Sequence, residues 1–576
     1  MGPEHFDAAV EHARAAAPFD HPELATMLCD SGRLALTAGD HETASSLLQS
    51  AADLQGADPD DDPGRRAHLL IDLASAEDGC GRVGVARDLL NEAVRVAQAA
   101  GENALVVDAA IRSAFPPDWR AGDRRTAALL ALAESLEGDG ERSAAVLAAR
   151  GMVEMRIPTG SESDHQIAWV TRASVAQPLT ERALESTHGT SSPDRLVALI
   201  AWRSTHRAPS QLEDRLAVSH EAVDLAQRLL EHDRLVDASV HLAVDALEAG
   251  RRSEYDRSVA TVRWAATTGG NPRLSWWAAT VSAGAALLDG DPEMAARFRV
   301  EADEIGARSA LPGWVSAELL LAAETALTVD DEAELITYLV PPDEPLLASP
   351  IVRSTVAYVA ARLGETDRAA AEAELALRAV DEESSYLLCL TLLARTAARL
   401  PGASLAAGVR ERLLPWRGRV AVDASGWWCS GPVDLALAEL ELAHSSDSND
   451  DGDAAHELLE AAESLIRSIG DVRSAATLER LRSVLTDRGS SSALAPQSAD
   501  RAGSASVVDN LTDRERRVLA LLATGRTNAA IGAELSFSPS TIRAETVSIY
   551  RKLGVNGRVE ATAIAVAAGL AATTTT

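Results

Sequence analysis

Apolar and polar positions follow a helical period along most of the chain. From residue 20 to about residue 486, stretches rich in alanine and leucine are separated by short breaks of glycine, aspartate and proline. Few runs combine β-branched and aromatic residues with the period of two that marks a strand. The pattern therefore predicts a long array of α-helices in which strands are scarce.

Several of the breaks share one local pattern, in which small residues follow a glycine after five and twelve positions. Glycine tolerates the left-handed conformation that ends a helix, and an acidic residue after it can cap the next helix. Two alanines seven residues apart lie on one helix face, where they allow a second helix to approach closely. The sites are Gly39 with Ala44 and Ala51, Gly81 with Ala86 and Ala93, Gly290 with Ala295 and Ala302, Gly364 with Ala369 and Ala376 and, as a weaker copy, Gly250 with Tyr255 and Val262.

This pattern resembles the second helix of a tetratricopeptide repeat (TPR), although the 42 residues from Gly39 to Gly81 exceed the usual repeat of about 34. The resemblance predicts an all-α fold, with a TPR-like α-solenoid of roughly ten to twelve helix pairs over residues 1–487. Unrelated helical bundles whose helices end in glycine are the alternative. A solenoid offers an extended concave surface, so we interpret this region as the sensor or interaction part, open to a protein, peptide or small-molecule effector.

Composition and charge change at the end of the array. Residues 488–506 are rich in Ser, Ala and Gly without hydrophobic periodicity, which predicts a flexible linker before a last domain at residues 507–572. The whole chain has a net charge of −32, but residues 511–576 hold eight basic and five acidic side chains and carry +3. Residues 1–510, with 46 basic and 81 acidic side chains, therefore carry −35. A nucleic acid is thus a plausible partner for the last domain only.

The last domain has the pattern of four short helices. Thr512 and Glu515 have the spacing of a capping box at the start of the first helix. Two short helices, a turn at residues 536–538 and a third helix that begins at Pro539 are the ingredients of a helix-turn-helix. A fourth helix is predicted over residues 558–568. One face of the third helix is predicted to hold Ile542, Glu545, Ile549 and Leu553.

Four motifs in this domain carry a family resemblance. They are Leu511-Thr512-x-Arg514-Glu515-Arg516-x-Val518-Leu519, Gly525-x-Thr527-Asn528-x-x-Ile531, Leu535-x-x-Ser538-x-x-Thr541-Ile542-Arg543 and Lys552-Leu553-Gly554-Val555. Together they resemble the LuxR-type DNA-binding domain over about 60 residues. The resemblance implies a four-helix domain whose third helix enters the major groove of double-stranded promoter DNA and whose fourth helix often mediates dimerisation, so a homodimer on DNA is expected.

The resemblance also implies roles for individual residues. Arg543 corresponds to the basic residue that contacts bases or phosphates at the start of the recognition helix. The groove-facing side of that helix is expected to include Thr541, Ala544 and Val547. Contacts to phosphates, which fix register without reading sequence, are expected from Thr527, Asn528, Ser538, Ser540, Arg551 and Lys552.

Three positions depart from the family pattern. Ala529-Ala530 stand where the family usually has Lys-Glu, Glu545 stands where it usually has His, and a basic residue is common where Val547 stands. Each change removes positive charge or adds negative charge near the phosphates, which weakens DNA binding. Glu545 needs a partner that the sequence does not identify. The alternative function is therefore a protein-interaction scaffold with a degenerate helix-turn-helix that is used for dimerisation.

Other chemistry is not indicated by the sequence. The chain has one lysine, Lys552, which lies outside any Walker A loop, so an NTPase of that type is excluded. No His-Glu-x-x-His or Gly-x-Ser-x-Gly motif occurs, so we expect no catalytic residue, metal or cofactor, and no enzyme. The widely spaced cysteines predict buried, reduced thiols rather than a zinc site or a disulfide framework; they are Cys29, Cys80, Cys389 and Cys429.

The ends of the chain bear on its location. Its longest apolar stretch, residues 561–572, is too short to span a bilayer, and the first residues lack the basic and apolar regions of a signal peptide. These features predict a cytoplasmic protein without a membrane partner.

The segment Gly426–Pro432 links the array to a larger architecture. It looks like a stretch in the helical region of large ATP-dependent LuxR-type activators. Core packing at an irregular turn is its simplest interpretation, and an inducer pocket is the alternative. The whole chain then resembles the C-terminal part of those activators without their ATPase domain. We interpret it as a bacterial transcriptional regulator controlled through the helical array.

Overall fold

The computed structural model describes most of the chain. The described residues are 22–55, 62–114, 124–138, 142–155, 173–269, 271–309, 314–339, 349–382, 385–423, 426, 428–444, 449–492, 511–523, 526, 531, 534–535, 537, 539–553, 561–562 and 564–565. The chain divides into two compact units, Met1–Asp487 and Arg488–Thr576.

The first unit is built from α-helices joined by short turns. Its first half contains α1 (Pro22–Thr37), α2 (His41–Gln55), α3 (Pro63–Gly79), α4 (Val83–Ala100), α5 (Asn103–Ser113), α6 (Arg124–Glu137), α7 (Ser143–Glu154), α8 (Ala173–Ser186), α9 (Pro193–Thr205), α10 (Leu212–Leu229) and α11 (His232–Glu248). Its second half contains α12 (Arg252–Gly269), α13 (Pro272–Leu288), α14 (Pro292–Ser309), α15 (Trp314–Val329), α16 (Glu332–Thr337), α17 (Pro350–Arg362), α18 (Thr366–Ala379), α19 (Tyr386–Ala397), α20 (Ala403–Leu413), β1 (Val420–Val422), β2 (Cys429–Pro432), α21 (Val433–His444), α22 (Asn449–Ile469) and α23 (Val472–Ser492). Single 3₁₀ turns lie at Pro209–Gln211 and Leu414–Trp416.

Helices that follow one another in the chain pack together. This arrangement is the one expected for hairpins of helices joined by tight turns. Alternate helices also touch, for example α17 with α19 and α19 with α21. The all-α fold and the TPR-like helical array predicted from the sequence are therefore confirmed over the described residues.

The glycine turns have the conformation that the sequence predicts. The backbone N–H of Gly39 donates to the Leu36 carbonyl at 3.0 Å, and that of Asp40 donates to the Ala35 carbonyl at 2.9 Å, which closes the end of α1. The small and apolar residues five and twelve positions after each glycine are at most 5% exposed. The glycines of these turns, all with φ between 73° and 80°, are Gly39, Gly81, Gly250, Gly290 and Gly364.

The acidic residues after the glycines cap their helices only where they are aspartates. Asp40 accepts the Thr43 N–H at 3.2 Å, and Asp291 accepts the Met294 N–H at 2.9 Å. Glu365 makes no side-chain bond of this kind. Its longer side chain is a poorer fit to the first-turn N–H groups than that of Asp.

The array winds back on itself, so that its turns contact helices that are distant in sequence. Arg252 donates from Nη1 to the Ile469 carbonyl at 2.7 Å, across 217 residues. A Cβ atom at Gly250 would lie 2.5 Å from Leu465 Cδ1. Glycine at this turn therefore serves both its positive φ and the close approach of the later helix. Repeats here contact more than their nearest neighbours, unlike those of an open solenoid.

Some inner helices are buried on nearly every side. All residues of α19 except Arg395 are buried, and so is α21 from Val433 to Leu440. Most of their apolar side chains belong to a large cluster that also takes in α18, α20, α22 and α23. In this part of the array the helices enclose a shared core.

One β-hairpin interrupts the second half of the array. Strands β1 and β2 pair antiparallel, with a bulge between Ala421 and Val422, and all their residues are buried. The scarcity of strands in the sequence did not predict this hairpin, because each strand is only three or four residues long. The segment Gly426–Pro432 includes β2, and Trp428 is 3% exposed, so its packing role is supported; Trp427 lies outside the described residues.

Helix α23 extends into the segment that was predicted to be a linker. Helix α23 continues to Ser492, so residues 488–492 are helical, in contrast to the prediction. Gly489 is unfavourable in a helix, but extending an existing helix by about one turn avoids the cost of nucleation. The rest of the predicted linker, residues 493–506, lies outside the described residues.

The second unit has its own small core. Its described helices are α24 (Asp513–Ala523) and α25 (Pro539–Leu553), and residues 534–535, 561–562 and 564–565 are also helical. The core is formed by the fully or nearly fully buried side chains of Leu511, Val518, Leu519, Leu522, Ile531, Ile542, Ile549, Leu553, Ala561 and Ala565. Positions from all four predicted helices therefore meet in one apolar cluster.

Candidate nucleic-acid interface

The first helix of the second unit begins with the predicted capping box. The Glu515 N–H donates to Thr512 Oγ1 at 3.2 Å, and the Thr512 N–H donates to Glu515 Oε2 at 2.8 Å. Two N–H groups at the helix start are thereby satisfied. The capping box is confirmed, and it fixes the direction in which α24 leaves the preceding chain.

Glu515 also joins α24 to α25. Lys552 Nζ lies 2.7 Å from both carboxylate oxygens of Glu515, and Ser548 Oγ donates to Oε1 at 3.2 Å. Glu515 is only 5% exposed. The hydrogen bond from Lys552, followed by those from Thr512, lowers the pKa of Glu515 to about 2. The carboxylate is therefore charged at neutral pH, and it holds both helices in register.

A second ion pair joins the same two helices. Arg514 Nη2 lies 2.8 Å from Glu545 Oε2, and Arg514 Nε donates to the same oxygen at 3.0 Å. The guanidinium of Arg514 lies 3.9 Å from the centre of the Phe537 ring, so a cation–π contact adds to the ion pair. The sequence indicated no partner for Glu545. In the structure its charge is neutralised by Arg514, which lies 31 residues earlier in the chain.

The buried face of α25 is largely the predicted one. Ile542 and Ile549 are 0% exposed, and Leu553 is 6% exposed. Glu545 lies at the edge of this face beside Arg514, while Thr546, which was not predicted to be buried, is 6% exposed and donates to the Ile542 carbonyl at 2.8 Å. The α25 backbone is therefore seated on the core by one face.

The predicted DNA-contacting residues fall into three groups. Thr527, Asn528 and Ser538 lie outside the described residues. The helix α25 contains the backbone positions of a second group, Ser540, Thr541, Arg543, Ala544, Val547 and Arg551. Lys552 alone has a described side chain, and its ammonium contacts Glu515.

Sequence reasoning missed the part that Arg514 and Phe537 play. Arg514 matched a family motif, but nothing near it in the sequence indicated that its charge would be used on Glu545. Phe537 lies in the predicted turn and is 40% exposed, and its ring packs against the Arg514 guanidinium. Both contacts are tertiary and have no local pattern.

A metal site, a reactive cysteine and a membrane span each place their own requirements on the described residues. The described residues contain no group of His, Cys, Asp and Glu side chains arranged to hold a metal ion. All four cysteines are free, and Cys80 is half-buried rather than buried. Burial raises the pKa of the Cys389 and Cys429 thiols to about 12, which makes them poor nucleophiles. Among the described helices, none is both long and apolar enough to cross a membrane.

The second unit is similar to known regulators. Residues 509–565 match the family described as bacterial regulatory proteins, luxR family. A nitrate/nitrite response regulator protein homolog of Haemophilus influenzae is 44% identical over 57 residues, which are 10% of this chain and 27% of that protein. The transcriptional regulatory protein YdfI of Bacillus subtilis is 42% identical over 60 residues, which are 10% of this chain and 28% of that protein. The chain thus spans little more than a quarter of the length of these curated relatives.

The chain also has a weak likeness to a solved structure. A chain in the crystal structure of the APC/C hetero-tetramer Cut9–Hcn1 aligns with 79% of this chain and 96% of its own length, at 13% identity and a TM-score of 0.26. For residues 509–565, the LuxR-type helix-turn-helix predicted from the sequence is confirmed.

Proposed function

We propose that this chain, whose residues 509–565 match the luxR family of regulators, is a DNA-binding transcriptional regulator. The observation that carries the proposal is the match itself, together with the way α25 is held. Two ion pairs, Glu515–Lys552 and Arg514–Glu545, fasten α25 to α24 by its buried side. A helix seated in this way can enter the major groove as a rigid element.

Specific roles follow from the position of each residue. Arg543 reads a base edge, and a bidentate contact to guanine would contribute about 1–3 kcal/mol of discrimination. Thr541, Ala544 and Val547 contribute the other contacts in the groove, the last two through thymine methyl groups. The residues that hold phosphates are Thr527, Asn528, Ser538, Ser540 and Arg551.

For Lys552, expected from the sequence to contact a phosphate, we propose a positioning role. Its ammonium is 2.7 Å from Glu515, and its side chain is about a third exposed. A charge used in this pair is less available to a phosphate oxygen. We therefore assign Lys552 to positioning α25.

The array is proposed as the regulatory part. Its net charge of −35 opposes the approach of a polyanion, whereas the +3 of residues 511–576 favours it. DNA binding would then increase when an effector, which could be a protein, a peptide or a small molecule, repositions the array. On DNA the chain would act as a homodimer through its fourth helix.

Selection of random duplexes on the full chain, followed by anisotropy titrations, tests this proposal. We expect an enriched duplex that binds with submicromolar affinity at low salt, and tighter binding by residues 488–576 alone. Affinity no better than millimolar for every selected duplex would contradict DNA binding. Equal affinity of the full chain and the fragment would contradict inhibition by the array.

The same titration addresses the alternative, a scaffold with a helix-turn-helix used only for dimerisation. One observation favours this alternative. Arg514 is a basic residue of the DNA-binding unit, but its charge is paired with Glu545 and is therefore less available to DNA phosphates. A scaffold would remain dimeric while it fails to bind any selected duplex.

A further inference from the structure

An open groove lies on the array where α10, α11 and α12 meet. Its volume is about 410 Å³, within the roughly 300–1,000 Å³ of small-molecule sites. Apolar surface dominates it, and its apolar lining comes from Ala226, Leu230, Leu235, Ala260 and Trp264. A groove of this size accepts one small molecule or one large side chain.

Two large apolar side chains at the groove are exposed to solvent. Leu230 is 75% exposed, and Trp264 is 55% exposed. The Trp264 ring lies 5.9 Å from the His232 ring at an angle of 60°, so the two rings form one aromatic corner of the groove. In a chain with only 3% aromatic residues, an exposed Trp beside an exposed Leu indicates a contact surface.

Leu230 stands in a backbone conformation that does not suit it. It has φ 58° and ψ 32° at the end of α10, and its N–H donates to the Gln227 carbonyl as the turn requires. Among the described residues with positive φ, the residues other than glycine are Leu230, Asp330 and Ser385, and Leu230 alone is apolar. Glycine would be more stable at this turn, and a polar residue would be better solvated. Neither folding nor solubility explains a leucine here, whereas contact with a ligand does.

The polarity of the groove indicates the class of ligand. No Asp, Glu, Lys or Arg is among the described residues that line it, although 24% of the chain is charged. The polar lining residues are Gln227, Thr261 and His232. The Thr261 hydroxyl donates to the Arg257 carbonyl at 2.9 Å, so it remains available as an acceptor. An anion would meet no basic partner in the groove, and a cation would meet no acidic one.

We infer that this groove binds a small, uncharged aromatic molecule, which stacks on Trp264 and packs against Leu230. The polar rim at Gln227 and Thr261 suits a ligand with one or two hydrogen-bonding groups. The site is independent of DNA binding; its use as the input of a regulator rests on the proposed function.

A pair of fluorescent probes on the full chain tests the inference. N-phenyl-1-naphthylamine is uncharged and aromatic, and 8-anilinonaphthalene-1-sulfonate has the same rings with an added negative charge. We expect one saturable site for the uncharged probe and binding of the sulfonate at least about tenfold weaker, because the array is acidic. Equal or tighter binding of the sulfonate would overturn the assignment of an uncharged ligand.

Substitutions locate the site. Leu230→Gly and Trp264→Ala are each expected to weaken the uncharged probe about tenfold. Leu375→Ala, which shortens a leucine that is 46% exposed on α18, is the matched control and should leave affinity unchanged. Leu230→Gly should not lower the melting temperature, so its loss of affinity cannot be attributed to unfolding. If the uncharged probe does not bind, or binds Leu230→Gly as it binds the natural chain, the inference is wrong.

Probe binding is measured without DNA, which keeps the two proposals separable. If the full chain binds the probe as expected but binds no DNA, the proposed function fails and the groove stands. If the full chain binds DNA but the probe does not occupy the groove, the opposite holds.

Discussion

Glu515 links the start of α24 to the end of α25 in the second unit. It closes the capping box with Thr512 and pairs with Lys552 at 2.7 Å. Glu515→Gln removes the charge and keeps the shape of the side chain. A pKa lowered from 4.5 to about 2 corresponds to about 3 kcal/mol in favour of the folded state at neutral pH. Solvent around Lys552, which is about a third exposed, screens the pair, so we expect a loss of about 1–2 kcal/mol.

The pH dependence of this stability has a definite sign. The carboxylate has a lower pKa in the folded state than in the unfolded chain. Its contribution is therefore complete above about pH 4.5 and is lost as the pH falls towards about 2. In Glu515→Gln this part of the acid dependence should be absent, because the amide does not titrate.

Thermal unfolding of residues 488–576, followed by circular dichroism between pH 2 and pH 7, measures both effects. A loss of about 1–2 kcal/mol lowers the melting temperature of a unit of this size by roughly 5–10 °C. Glu534→Gln, in the more exposed pair with Arg526, is the matched control and should cost less than about 0.5 kcal/mol. Equal effects of the two substitutions, or an unchanged acid transition in Glu515→Gln, would refute the reasoning.

Three further predictions concern the DNA-binding unit and the array. Lys552→Gln should leave the slope of log affinity against log salt nearly unchanged, because the Lys552 charge already pairs with Glu515. Arg551→Gln should reduce the magnitude of that slope by about 0.9, because a phosphate contact is lost. Equal slopes for the two variants would contradict this assignment. Gly364→Ala should lower the free energy of unfolding by about 1 kcal/mol because of its positive φ. Gly250→Ala should lower it by about 2–3 kcal/mol, because its Cβ would also meet Leu465. Scanning calorimetry of the full chain compares the two variants, and equal losses would argue against the close contact between Gly250 and Leu465. Leu230→Gly should leave stability unchanged or raise it by up to about 1 kcal/mol, since glycine adopts φ 58° without strain; a lower melting temperature would show that the leucine serves the fold.

Local patterns in the sequence were sufficient to predict the array of helices and several helix ends, but not the end of α23 at Ser492. A helix that ends at Gly39 and packs through Ala44 depends on neighbours within a few residues, and the capping box of Thr512 and Glu515 is equally local. The four-helix pattern of the last domain, with Ile542 and Ile549 buried, follows from the helical period alone. These features were predicted because their causes lie within one or two turns of chain.

Contacts between distant residues could not be predicted in the same way. The pairing of Arg514 with Glu545 spans 31 residues, and the contact of Arg252 with the Ile469 carbonyl spans 217. Each depends on where whole helices lie, which no periodic pattern encodes. The β-hairpin was missed because strands of three and four residues are too short for a visible alternation. The groove at Leu230 could be identified only from the positive φ and the solvent exposure of that residue. Neither property can be read from the sequence.

The central claim is that α25 reads DNA through Arg543. Anisotropy titrations of the full chain should compare the selected duplex with a shuffled one, for the natural protein, for Arg543→Ala and for the control Arg517→Ala, which removes an exposed arginine from α24. The account predicts that Arg543→Ala binds the selected duplex about ten- to a hundredfold more weakly and loses its preference over the shuffled one. Arg517→Ala should keep that preference. Equal binding of both duplexes by the natural protein, or full preference in Arg543→Ala, would contradict the claim.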